Sequence, residues 1–280
     1  MRKLSKLAAV WVFLGFSSLT GYAYGVTTSE SCAAGDIVNA VRGDQLCLAI
    51  KTAKGVQAPD AGAQLLILLH GDVSRGGPSD YHYRIAEEIV ANHPDVIAIA
   101  VLRPGYFDSE GKRSDGNDNG RRDHYNAANI DSMAAAIRTL RVTYRPSRIV
   151  LVGHSGGSAF SGVILGRHPG TVDAAILTSC PCDVPRWRNS GGGRPWKDSL
   201  SPSSYIDKVP QNARVIALTG SKDANTAPSL GRAYAEGLAK RGIAAEFLEV
   251  PGATHDMDST LRTAVRQAVT TVLTAQTAPP

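Results

Sequence analysis

The sequence predicts an α/β fold: a mostly parallel central sheet with helices on both faces and an irregular lid segment. Short apolar runs alternate along the chain with amphipathic stretches of about ten residues or more, the pattern of strands joined by helical crossovers. Several runs, such as Gln64 to Leu69 (QLLILL), show no polar alternation, as expected of strands covered on both faces. The most informative stretch is RIVLVGHSGGSAFSGVILGRH, Arg148 to His168. There a β-branched apolar run stops at Gly153-His154-Ser155-Gly156-Gly157, and small and apolar residues at helical spacing follow.

Each element follows from its own pattern. Residues 26–45 carry little periodicity, and Leu46 to Lys51 is a short strand candidate. Ala53 to Ala63 holds Gly, Pro and Asp and reads as a turn region before the buried strand Gln64 to Leu69. The loop HGDVSRGGPSD leads to a helix over Tyr81 to Asn92, and Asp95 to Val101 (DVIAIAV) is a second buried strand. A long polar loop, Leu102 to Tyr125, precedes a helix over Ala127 to Tyr144. After the Ser155 strand, turn and helix come a strand at Thr171 to Thr178 and an irregular Pro/Gly/Ser-rich stretch, Ser179 to Asn212. The pattern closes with a strand at Ala213 to Thr219, a helix at Pro228 to Arg241, a strand at Ala244 to Val250 and a helix at Asp258 to Thr274. No internal repeat or linker divides the chain, so residues 26–280 form one expected domain, with residues 180–212 as its lid.

Residues 1–25 read as an export signal. Arg2, Lys3 and Lys6 precede the apolar core Leu7 to Phe16, and Gly21-Tyr22-Ala23 and Ala23-Tyr24-Gly25 both offer small-x-small cleavage sites. That core is about half the roughly 20 residues a spanning helix requires, so no stable membrane insertion is expected after cleavage. Removing the segment lowers the formal net charge from +5 to +2, which withdraws the support a basic pI would lend to a nucleic-acid partner. The expected location is secreted or periplasmic. Four cysteines suit an oxidising compartment and allow three pairings. Cys32–Cys47 is the favoured bridge. Cys180 and Cys182 flank only Pro181, so a bridge between them would be strained, and that pair is left as bridged or free.

The Gly-x-Ser-x-Gly turn carries the chemistry. Glycines beside Ser155 let the backbone turn sharply and leave room for a substrate, while the turn lifts the serine Oγ clear of the sheet. The helix N-terminus aims the Gly156 N–H at a developing negative oxygen. A serine hydroxyl needs a base, and the base needs an orienting carboxylate. In an open parallel sheet these must lie in loops at the carboxyl ends of strands. Of the seven histidines, His255, in the loop after Val250, fits best. His124 in the long polar loop is the other credible base. His154 should point away from the substrate side, His70 suits a structural role, and His82, His93 and His168 read as surface residues on helices or helix ends. Asp223, just after the strand ending at Thr219, is the first choice of carboxylate, with Asp183 the runner-up; the plainer role for either is an Asx-turn. The order Ser155, Asp223, His255 is the one expected for this turn. A second oxyanion donor is expected from the Asp72 N–H in His70-Gly71-Asp72, the carboxylate itself turning away.

Asp115-x-Asn117-x-Asn119-Gly120, with Asp123 at the ninth position, has the spacing of half a calcium loop. Asn126 stands where that loop needs a bidentate Glu, so a solvated turn is the preferred reading. No metal or cofactor is called for.

With these residues in hand, the chain resembles an α/β-hydrolase over roughly residues 46–275. The stretch TGSKDANTAPSLGRAYAEGLAKRGIAAEFLEVPGATHD is similar to the catalytic domains of the prolyl oligopeptidase and dienelactone hydrolase groups. The resemblance implies Ser155 as nucleophile, Asp223 as acid, His255 as base, and Gly156 and Asp72 as oxyanion donors. The chain departs from those groups in having no large N-terminal propeller and a serine where dienelactone hydrolases typically carry cysteine. The expected activity is therefore hydrolysis of a small-molecule ester through an acyl-enzyme. The alternatives are a serine peptidase acting on short peptides, or a catalytically silent binding protein. Segments Arg103 to Asn126 and Cys180 to Asn212 should overhang Ser155, and their aromatics (Tyr106, Phe107, Tyr125, Trp187, Trp196) suit a lid or pocket wall and not a core.

Overall fold

A computed structural model describes Cys32 and residues 37–275; the expected signal segment lies outside the described residues. Eight strands form one sheet: β1 (Ala40–Gly43), β2 (Leu46–Lys54), β3 (Gln64–Leu69), β4 (Val96–Val101), β5 (Arg148–His154), β6 (Ala174–Thr178), β7 (Arg214–Gly220) and β8 (Ala244–Val250). Their order across the sheet is β1-β2-β4-β3-β5-β6-β7-β8. β1 pairs antiparallel with β2, and β2 antiparallel with β4; every later pair is parallel. The helices are α1 (Tyr81–Asn92), α2 (Ala127–Tyr144), α3 (Gly156–Arg167), α4 (Val184–Ser190), α5 (Pro228–Lys240) and α6 (Ser259–Thr274). This open sheet, mostly parallel and covered on both faces, is the α/β-hydrolase fold.

Strand pleating explains the continuous apolar runs. In β3, Leu65, Ile67 and Leu69 join the core built with α2, α3 and α5. Leu66 and Leu68, one residue out of phase, join the core built with α1 and α6. Every residue of such a strand meets a helix on one face or the other. The parallel pairing brings the carboxyl ends of β3, β5, β6, β7 and β8 to one edge, and the loops that leave it carry the candidate site.

The structure corrects the reading at several places. β1 was not anticipated, because four residues (Ala-Val-Arg-Gly) are too few for a pattern and are ordered by pairing with β2. β2 continues past Lys51 to Lys54 because its polar end pairs with β4. Within the irregular stretch, Asp183 caps the short helix α4, and Pro202–Lys208 forms 3-10 turns. Tyr106 and Tyr125 are fully buried, so these loop aromatics belong to the core and not to a pocket wall. Both cysteine pairs, Cys32–Cys47 and Cys180–Cys182, are disulfide-bonded.

Those two tyrosines surround a charge cluster that fixes the loop after β3. Arg103 is completely buried, with its guanidinium 4.8 Å from the centre of the Tyr106 ring and 5.2 Å from that of Phe160. Its Nη2 donates to Asp72 Oδ1 at 2.7 Å, and the Tyr125 hydroxyl donates to Asp72 Oδ2 at 2.6 Å. Next to it, the His70 ring donates from Nδ1 to the Gly71 carbonyl and accepts the Arg103 N–H at Nε2, which ties the loop after β3 to the loop after β4. Burial by itself would raise the Asp72 pKa, but the Arg103 charge and the two side-chain hydrogen bonds outweigh it and hold the carboxyl below its ordinary value.

Removing one member of a buried ion pair strands the other. Asp72→Asn should therefore destabilise the protein by about 3–5 kcal/mol. Because the folded Asp72 pKa lies below its unfolded value of about 3.9, its stabilisation is complete above that pH. It is lost as pH falls through the folded pKa, so the wild type should weaken in acid more steeply than the variant. Denaturant titrations at neutral pH and through the acid range measure both effects; a variant with the wild-type midpoint would contradict the first.

Candidate active site

The site is built around a sharp turn between β5 and α3. Ser155 sits at that turn with φ 52° and ψ −119°, a conformation uncommon for any residue with a Cβ. Its N–H donates to the Thr178 carbonyl at the end of β6, which fixes the turn against the neighbouring strand. The glycines have specific neighbours. A Cβ on Gly157 would lie 2.2 Å from the Leu69 carbonyl oxygen, and one on Gly156 would lie 2.2 Å from Asp72 Oδ1. Bare backbone at these positions lets α3 start directly against the end of β3.

His255 and Asp223 meet Ser155 from the loops after β8 and β7. The His255 Nε2 lies 3.0 Å from Ser155 Oγ, and Nδ1 lies 3.0 Å from Asp223 Oδ2 and 3.1 Å from Oδ1. A carboxylate facing Nδ1 requires a proton there, which leaves Nε2 of the neutral ring as the acceptor for the serine hydroxyl. Asp223 also accepts the N–H groups of Asn225 and Thr226 and the Thr226 hydroxyl. Burial raises its pKa, but the His255 hydrogen bond and charge, with the Thr226 N–H, bring it below the ordinary value. Asp183, the alternative carboxylate, is spent elsewhere: its side chain accepts the Arg186 N–H as the cap of α4.

The expected backbone donors are the N–H groups of Gly156 and Asp72. Among the described residues neither has a hydrogen-bond partner, whereas the Gly71 N–H donates to the Tyr81 hydroxyl at 2.5 Å. The Asp72 carboxylate is turned to Arg103 and Tyr125, as expected.

Two residues escaped sequence reasoning. His154 faces the cavity instead of pointing away from it, and its ring lies 5.3 Å from that of His255. It accepts the Tyr81 hydroxyl at Nδ1 (2.6 Å) and donates from Nε2 to the His255 carbonyl (2.9 Å). Burial, then the neighbouring His255, push its pKa down to about 3, so it stays neutral and keeps both bonds. Asn225 is the other: Trp187 Nε1–H donates to its carbonyl oxygen and its Oδ1, and its Nδ2 lies 3.1 Å from His255 Nε2. Neither residue sits in a pattern that marks it.

The remaining candidates lie elsewhere. His124 is buried among Tyr106, Tyr125 and Phe160, outside the cavity lining, with its pKa pushed down to about 3, chiefly by burial. His82, expected on the surface, is buried on α1 with Nε2 donating to the Val101 carbonyl. In the calcium-like segment, Asp115 accepts the Cys47 N–H, Asp123 accepts the N–H groups of Lys197, Asp198 and Ser199, and Asn126 caps α2. These side chains hold loops together.

Above Ser155 opens a cavity of about 1200 Å³. Both long segments contribute walls: residues 120–122 from one, and Trp187, Arg188, Arg194 and Trp196 from the other. The two tryptophans meet edge to face at 5.1 Å. They both pack the lid and line the cavity.

Comparison with known proteins agrees with this architecture. Est1E from Butyrivibrio proteoclasticus superposes with a TM-score of 0.63 at 16% identity, covering 84% of this chain and 99% of that one. Esterase PE8 gives 0.60 at 17% identity, over 80% of this chain and 99% of its own. An acylaminoacyl peptidase gives 0.64 at 14% identity, over 85% of this chain but 41% of its own. At such identities the likeness is one of fold. No curated protein sequence matches the chain. Residues 108–273, more than half of the chain and inclusive of Ser155, Asp223 and His255, match the model of one serine hydrolase family. On that match the chain belongs to the prolyl oligopeptidase family.

Proposed function

We propose that this serine hydrolase is exported and cleaves carboxylic esters through an acyl-enzyme on Ser155. The observation that carries the proposal is the unbroken chain Ser155 Oγ, His255, Asp223, of which Ser155 and His255 line a cavity. Ser155 Oγ attacks the ester carbonyl as its proton passes to His255 Nε2, and Asp223 holds the imidazolium through Nδ1. The N–H groups of Gly156 and Asp72 receive the carbonyl oxygen as it becomes anionic. Collapse of the tetrahedral centre breaks the bond to the alcohol, which leaves with the proton from His255. Water, deprotonated by His255, then attacks the acyl carbonyl and returns Ser155 with release of the acid.

The esterases of the same fold support an ester substrate, and bridged cysteines support an oxidising compartment. A peptidase is the second reading, favoured by the family model and by the acylaminoacyl peptidase of similar fold.

Ser155→Ala should fold normally and lose fluorophosphonate labelling completely; labelling that persists at another serine would remove Ser155 from the role. Asp223→Asn should reduce turnover by roughly 10⁴-fold, because the imidazole then takes the wrong tautomer. Asp183→Asn should leave turnover within a few-fold of wild type, and the opposite ranking would exchange the two roles. Across p-nitrophenyl esters from acetate to palmitate, kcat/KM should peak at short or compact acyl groups, since the lid helix α4 spans only seven residues, too few to shelter a long chain. A maximum at palmitate would reject that pocket reading, and cleavage of aminoacyl anilides alone would make the protein a peptidase.

A further inference from the structure

The cavity wall is unusually cationic. Seven arginines and three aspartates line it. Asp72 is already neutralised by Arg103, and Asp258 caps α6, which leaves exposed Asp256 as the one acid without a partner among the described residues. The arginines divide into two groups. Arg121 holds the carbonyls of Val73 and Gly77, Arg84 pairs with Glu88, and Arg262 donates to the Met257 carbonyl, so these three have structural work. Arg75, Arg122 and Arg194 have no side-chain partner among the described residues, and Arg188 donates only from Nε while lying 5.2 and 5.0 Å from the rings of Trp187 and Trp196.

These four reach the same cavity from three separate loops: Arg75 after β3, Arg122 before α2, and Arg188 with Arg194 in the lid. Convergence from independent segments differs from a run of like charge along one exposed helix. A concave wall of one sign focuses its field into the cavity, and guanidinium groups match a carboxylate in two-point geometry. The tryptophans add flat apolar surface beside them. From this we infer that the preferred substrate is an ester carrying a carboxylate, with an apolar or aromatic body that lies against Trp187 and Trp196. The inference rests on the ester-hydrolase reading and narrows it to an anionic substrate class.

The test compares carboxylate and neutral esters of matched shape. On the acyl side the pair is p-nitrophenyl hydrogen adipate and p-nitrophenyl hexanoate; on the leaving side it is 4-acetoxybenzoate and 4-methylphenyl acetate. At low ionic strength the carboxylate member of at least one pair should have a kcat/KM higher by about tenfold or more, and added salt should shrink the ratio. In the triple variant Arg75→Gln, Arg122→Gln, Arg194→Gln the ratio should fall towards one, and lysine at the same three positions should restore much of it. Equal or lower rates for both carboxylates in the wild type would overturn the proposal, as would a triple variant that keeps the preference. If no ester is turned over, the hydrolase reading fails by itself. Calorimetric binding of adipate and 4-hydroxybenzoate to the Ser155→Ala protein then decides the anion site: binding that the glutamine variant loses supports it, and no binding refutes it.

Discussion

The site depends on how closely α3 can approach the end of β3. With no Cβ on Gly157, the first turn of α3 touches the Leu69 carbonyl; with none on Gly156, the Asp72 carboxylate fits beside the backbone. Any larger residue at either position meets atoms that cannot move without shifting a central strand or breaking the Arg103 pair. This approach brings the start of α3 against the loop that follows β3. It also forces Ser155 into its strained conformation, which the Thr178 carbonyl then holds in place.

Around that contact the molecule uses polar groups in pairs that close on one another. Asp72 presents its carboxylate to Arg103 and Tyr125, and its backbone N–H has no partner among the described residues. His154 joins α1 to the loop that carries His255, accepting from Tyr81 and donating to the His255 carbonyl. Each of its nitrogens has a partner of fixed sense, so the bridge holds only for one neutral tautomer. Burial keeps the ring in that state across the range in which His255 would have to work as a base.

Much of this was legible in the chain. Gly-x-Ser-x-Gly between a buried strand and a helix located the turn at Ser155, and the strand-end rule pointed to Asp223 and His255 in the loops after β7 and β8, where the structure brings them to Ser155. Helices α1 and α2 and strand β3 have the expected ends, because each has strong periodicity or a clean apolar run, and β8 has them because a turn bounds it on either side. What escaped were features set by partners distant in sequence. β1 exists through its pairing with β2, and Tyr106 and Tyr125 are core residues because one packs on buried Arg103 and the other donates to its partner Asp72. His154 was misdirected for a related reason: strand alternation across the turn suggests the opposite face, but the Tyr81 hydroxyl and the His255 carbonyl draw the ring to the cavity.

The lid and the base are joined by one side chain. The Trp187 indole N–H donates to the Asn225 backbone carbonyl at 2.9 Å and to its Oδ1 at 3.3 Å, while the Asn225 Nδ2 lies 3.1 Å from His255 Nε2. In the resting protein that nitrogen has one lone pair and two donors near it, the Ser155 hydroxyl at 3.0 Å and the Asn225 amide at 3.1 Å. In the proposed mechanism, once the serine proton reaches Nε2, the amide faces a donor and loses its bond, while Asp223 gains a full charge to hold. The carboxylate therefore stabilises the protonated ring and the amide the unprotonated one. Trp187, which also forms part of the cavity wall, is thus tied to the residue whose amide meets His255.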